Sequence, residues 1–144
     1  MTGSVQGTIK VAGKTLTFDH TEGKWHEQTG SRPAFAPAFT YLNLQNKALT
    51  LLATGLRDTA VGYAERDGKV IGVDALTIDP VGQEERPFVV TLNDGQRIEG
   101  IARKVQDWSV EIEGKARPGS SIIAETSEGN LFGSLNDWQS DATR

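Results

Sequence analysis

The chain contains no cysteine, one methionine and only two histidines. Without cysteine there are no disulfides, no thiolate nucleophile and no cysteine-ligated zinc, and the composition suits a reducing, cytoplasmic setting. The histidines, His20 and His26, stand in no ligand spacing, so no metal site is expected. Phosphate-cradling loops, dinucleotide fingerprints and nucleophile elbows are also missing, and no cofactor is expected. Basic residues number 15 against 19 acidic ones and form no run, so a nucleic-acid surface is not expected. No apolar stretch approaches the roughly 20 residues of a membrane helix. Met1-Thr2-Gly3-Ser4 has neither the charged nor the apolar region of a signal peptide. A sustained 3.6-residue apolar period is absent too, so helix is expected for less than about 10% of the chain, against a norm of roughly a third.

What is present is turn chemistry and alternation. Sixteen glycines stand against five prolines, and short β-branched runs lie between the turns. Val5–Val11, Thr15–Phe18, Lys24–Gln28, Phe39–Gln45, Leu49–Thr54, Ala60–Arg66, Val70–Ile78, Phe88–Leu92, Arg97–Lys104, Trp108–Gly114, Ser121–Thr126 and Leu131–Leu135 read as strands. Asp19–Gly23, Gly30–Pro37, Asp79–Arg86 and Arg117-Pro118-Gly119 read as loops or turns, and Asp67-Gly68 as a tight hairpin. Pro33 and Pro37 flank an inward-folded Phe35 in the least regular of these segments. About eleven or twelve strands joined as consecutive hairpins predict an all-β protein, an antiparallel up-and-down barrel with room for one small ligand. One domain over residues 1–144 is expected, with 140–144 frayed.

The densest chemistry is Trp25-His26-Glu27-Gln28. Alternation puts His26 and Gln28 on one face of a strand and Trp25 and Glu27 on the other. If the first pair faces a cavity, the site holds a proton shuttle and an orienting amide. If the second does, it holds a carboxylate whose pKa is raised against an indole. Either suits general acid/base work; the competing reading is a core Trp25 with its polar neighbours in water. Asn136-Asp137-Trp138 ends the last strand, so Asp137 either orients His26 or closes a turn over an aromatic plug formed by Trp138. Tyr41 and Tyr63 are mid-strand and either line the cavity or pack in the core. Asp74 interrupts an apolar run and needs a partner if buried.

The run Gly7–Pro37, GTIKVAGKTLTFDHTEGKWHEQTGSRPAFAP, resembles the lipocalin-like carotenoid 1,2-hydratase (hydroxyneurosporene synthase) superfamily. The likeness lies in a Gly-x-(Val/Ile)-x-Val-x-Gly hairpin, a short strand with an Asp/His/Trp-Gly type motif, and a proline- and aromatic-rich segment. Gly30 matches the motif's glycine, Thr29 stands where the family has Trp, and His26 and Glu27 are the chemical equivalents. The resemblance implies a single-barrel relative of a two-barrel family, restored to two by homodimerisation. It also implies cofactor-free lyase, isomerase or cyclase chemistry on a mostly apolar small molecule such as a terpenoid, polyketide or aromatic. His26 and Glu27 would then be catalytic; Trp25, Gln28, Phe35, Tyr41, Tyr63, Asp74, Asp137 and Trp138 would contact substrate. A non-catalytic carrier of a hydrophobic ligand, and an interaction barrel with a filled core, are the alternatives.

Overall fold

A computed structural model describes residues 2–24, 38–56, 58–80, 82–112 and 114–138. These residues contain ten strands and no helix. The strands are β1 (Thr2–Val11), β2 (Lys14–Lys24), β3 (Phe39–Gln45), β4 (Thr50–Leu56), β5 (Thr59–Arg66), β6 (Lys69–Ile78), β7 (Glu85–Leu92), β8 (Arg97–Ile112), β9 (Lys115–Thr126) and β10 (Gly129–Trp138). The single barrel expected over 1–144 is, among the described residues, a ring over Phe39–Trp138 and a separate two-stranded hairpin. The two belong to different compact units of the chain.

In the hairpin, β1 and β2 pair antiparallel, with Ile9 opposite Leu16 and Gly7 opposite Phe18. The Phe18 ring lies over Gly7, where a Cβ would be crowded. The strands leave Val5, Ile9, Val11 and Leu16 exposed.

The ring is an antiparallel meander in which each strand pairs with the next and β10 returns to pair with β3, closing a barrel. Alternation decides what goes inside. Leu42 and Leu44 on β3, Leu51 and Ala53 on β4, Phe88, Val90 and Leu92 on β7, and Ile122 and Ala124 on β9 are buried at a spacing of two, and Leu131 and Leu135 on β10 at a spacing of four. Burial of each large side chain contributes about 1.5–3 kcal/mol. The hairpin Asp67-Gly68 takes positive φ at both positions, 49° and 74°, the twist a two-residue turn needs. A Cβ at Gly62 would run into the Leu52 carbonyl, so only glycine lets β5 approach β4 so closely.

Several boundaries differ from those read in the sequence, each for a physical reason. Asp19–Gly23 is not a loop: β2 runs through it, because β1 offers a partner out to Thr2. Arg97–Lys104 and Trp108–Ile112 are one strand, continuous through a register shift between Lys104 and Gln106. Arg117-Pro118-Gly119 does not turn; β9 already runs there, and β10 joins it only from Ser120 onward. Pro118 there stands opposite Ser109 of β8 and has no β10 partner in the register.

Candidate functional site

At the end of the ring where β3 and β7 begin and β10 finishes, a pocket of about 330 Å³ opens. Its apolar floor is Ala102, Ile122 and Leu135, which cap the core below. Two charged groups stand above that floor. Arg86, next inward after Phe88 on β7, is 6% exposed. Its Nη1 and Nη2 donate to the Asp137 carboxylate at 2.6 and 3.3 Å, and its Nε donates to the Asp79 carbonyl at 2.7 Å. Asp137 also accepts from the Thr40 hydroxyl at 2.7 Å, a bond across the seam that closes the ring. Forked geometry and a third acceptor for Nε make this the arrangement in which a guanidinium tolerates burial.

The second group is built by the bulge in β8. The irregularity between Lys104 and Gln106 resets the alternation, so that Lys104 and Asp107 meet. The Lys104 ammonium lies 2.9 Å from Glu84 and 3.1 Å from Asp107, and the Ser120 hydroxyl donates to Asp107 at 2.7 Å. The Lys104 pKa is raised, chiefly by its hydrogen bond to Glu84 and then by that to Asp107. The Asp107 pKa is lowered, chiefly by the Ser120 hydroxyl and then by Lys104. The backbone holds the same loop, since Lys104 N–H donates to the Glu84 carbonyl at 3.0 Å. Trp108 covers Gly119 so closely that a Cβ there would strike its ring. Both residues line the pocket.

Of the residues singled out in the sequence, Asp137 lies in this pocket. Trp138, one position on, stacks on Phe39 at 5.2 Å between centroids, and the Arg117 guanidinium lies 4.7 Å from its ring centre. Tyr41 neighbours the buried Leu42 and Tyr63 the buried Ala64, so both tyrosines fall on the opposite, outer face, half-buried. Asp74 is exposed at a bulge between Val73 and Ala75. Trp25, His26, Glu27, Gln28 and Phe35 lie outside the described residues. Arg86, Lys104, Asp107 and Ser120 were not anticipated. The signal for Arg86 was its parity, since it falls in step with Phe88, Val90 and Leu92 and a charge in that row has to face inward.

Among the described residues no three His, Cys, Asp or Glu side chains converge as metal ligands, and between Glu84 and Asp107 the Lys104 ammonium already supplies the cation. No described helix is long and apolar enough to cross a membrane. Comparison with protein-family models, with curated proteins and with solved structures returned no match. Nothing in these comparisons identifies the carotenoid 1,2-hydratase superfamily.

Proposed function

We propose that the ring is a binding scaffold for a small molecule whose apolar body rests on Ala102, Ile122 and Leu135 and whose polar head meets Arg86, Asp137, Lys104 and Asp107. The observation carrying this reading is a pocket of about 330 Å³ with an apolar floor and convergent polar groups, inside the roughly 300–1,000 Å³ range of small-molecule sites. The middle of the ring is filled by apolar side chains, so the ligand belongs at this end rather than in a central cavity.

Binding is favoured over acid/base catalysis at Lys104 and Asp107. A general acid or base works best with a pKa near the working pH. Lys104 is raised and Asp107 lowered, so each moves away from neutrality and holds its charge. The lyase, isomerase or cyclase reading draws instead on His26 and Glu27, and on substrate chemistry implied by resemblance. The pocket lining carries three carboxylates, Glu84, Asp107 and Asp137, against two cations, Arg86 and Lys104. A head that donates hydrogen bonds, an amine or an alcohol, therefore fits better than a carboxylate.

An isosteric series tests this: cyclohexylmethylamine, cyclohexylmethanol and cyclohexanecarboxylate, titrated while the methyl signals of Ile122 and Leu135 are followed by NMR. Expected is saturable movement of those methyls, tightest for the amine and weakest for the carboxylate, abolished by Ile122→Trp. Preference for the carboxylate, or no movement with any of the three, would sink the reading.

A further inference from the structure

The β1–β2 hairpin poses a problem that the ring does not. A lone two-stranded sheet is marginal in water, and three or more strands with a shared apolar face are needed for independent stability. Among the described residues this sheet has only its two strands, so neither outer edge has a described partner strand. Its apolar residues are out in solvent as well: Val5 is 43% exposed, Ile9 49%, Val11 57% and Leu16 59%.

The two edges are not alike. β2 carries Lys14 and Asp19 among its described side chains, charges of the kind with which proteins blunt an exposed edge. β1 carries a single charge, Lys10, and no proline over ten residues. It is the unguarded edge.

We infer that β1 pairs antiparallel with β1 of a second copy, turning two hairpins into one continuous four-stranded sheet. A two-fold axis makes such a contact self-complementary, and the sequence of β1 suits it. With the axis at Thr8, Val5 of each copy stands opposite Val11 of the other, and Gly7 opposite Ile9. Residues directly opposite share a face, so the aliphatic row runs unbroken across the seam. Moving the register by one residue would set that row against polar positions. Lys10 falls opposite Gln6, so the edge's only charge meets no like charge. The charged β2 edges then lie on the outside of the new sheet and stop its growth at two copies. Seven residues from each chain make a small contact, so association is concentration-dependent and in the weak class of interfaces.

The chain has no cysteine of its own, which makes the test clean. Single cysteines placed at each position from Val5 to Val11 are oxidised in the full-length protein and run without reductant. Expected is a disulfide-linked dimer that forms best with Thr8→Cys, since directly opposed residues of an antiparallel pair are within disulfide reach. Gln6→Cys and Lys10→Cys cross-link to each other when mixed and poorly alone. In parallel, sedimentation equilibrium of the unaltered chain shows dimer over micromolar concentrations. Thr8→Lys, which opposes two ammonium groups on the axis, weakens it at least tenfold, and Thr8→Asn leaves it. A 15.6 kDa particle up to about 100 µM, cross-linking indifferent to position, or open-ended growth beyond two copies would each overturn the inference.

Discussion

With a side chain only 7% exposed, Arg86 has lost nearly all of its water, and Asp137 at 15% has lost most of it. Each is tolerable because of the other. Removing one partner strands a buried charge, which costs about 3–5 kcal/mol, whereas replacing both with apolar groups of similar volume is often neutral. Asp137→Leu should therefore lower stability by about that amount in urea melts. The double change Arg86→Met with Asp137→Leu should recover most of the loss. Equal loss in the single and double variants would show that the pair is not the reason these residues matter. Asp137 stood out in the sequence as an acid beside Trp138 at a strand end, placed either to orient His26 or to close a turn. Its partner was harder to find: Arg86 follows Glu84 and Glu85 in a polar stretch that reads as loop, and its parity counts only once β7 is known to start early. What starts it is tertiary, since β8 offers Arg103 and Ala102 as partners to Glu85 and Arg86.

The β8–β9 hairpin is the element that brings Lys104 and Asp107 together. Alternation breaks between them, and a break in alternation reads as a strand end. The register shift instead keeps the strand going and turns both side chains to one site. The sequence carried each half of β8 but not their continuity, because a bulge has no composition of its own. The two charges have definite pH limits. Asp107 is held below the ordinary aspartate range, so its favourable contacts are present above an unfolded pKa near 3.9 and lost as pH falls through the lower folded value. Lys104 is held above the ordinary lysine value, so its contacts are present below about 10.4 and lost as pH rises through the higher folded value. Between those limits both charges persist. NMR titration should show neither group changing state from about pH 5 to 9, and Asp107→Asn should bring the Lys104 midpoint back toward ordinary lysine. A Lys104 midpoint unmoved by that substitution would mean Asp107 does not help hold the charge.

For the whole molecule, the legible part was the class and the connectivity. Regular turn spacing and period-2 runs such as Phe88–Leu92 were enough for an antiparallel β meander, because each hairpin is local. Closure was not legible in the same way. Pairing Thr40 with Asp137 spans 97 positions, and no short-range pattern encodes it. Nor does local pattern say that β1 and β2, which alternate like the rest, stay out of the ring. Since the ring has its own core and its own closing seam, a chain running only from Ala38 to Trp138 should fold. A dispersed amide spectrum and one cooperative thermal transition are expected. A collapsed spectrum would mean that residues outside 38–138 are part of the ring's stability.

The seam between β3 and β10 also sets a clock. At about 5–20 residues per second, a ribosome adds the 97 residues separating Thr40 from Asp137 in roughly 5–20 s. For that interval β3 has no partner on one side, while Leu42 and Leu44 wait for Leu131 and Leu135 to cover them. A nascent chain must therefore pass through an open sheet of up to seven strands, with a bare edge at each side. A message or cleavage that ends the chain before Gly129 would leave it in that open state, as an aggregation-prone sheet and not as a smaller ring.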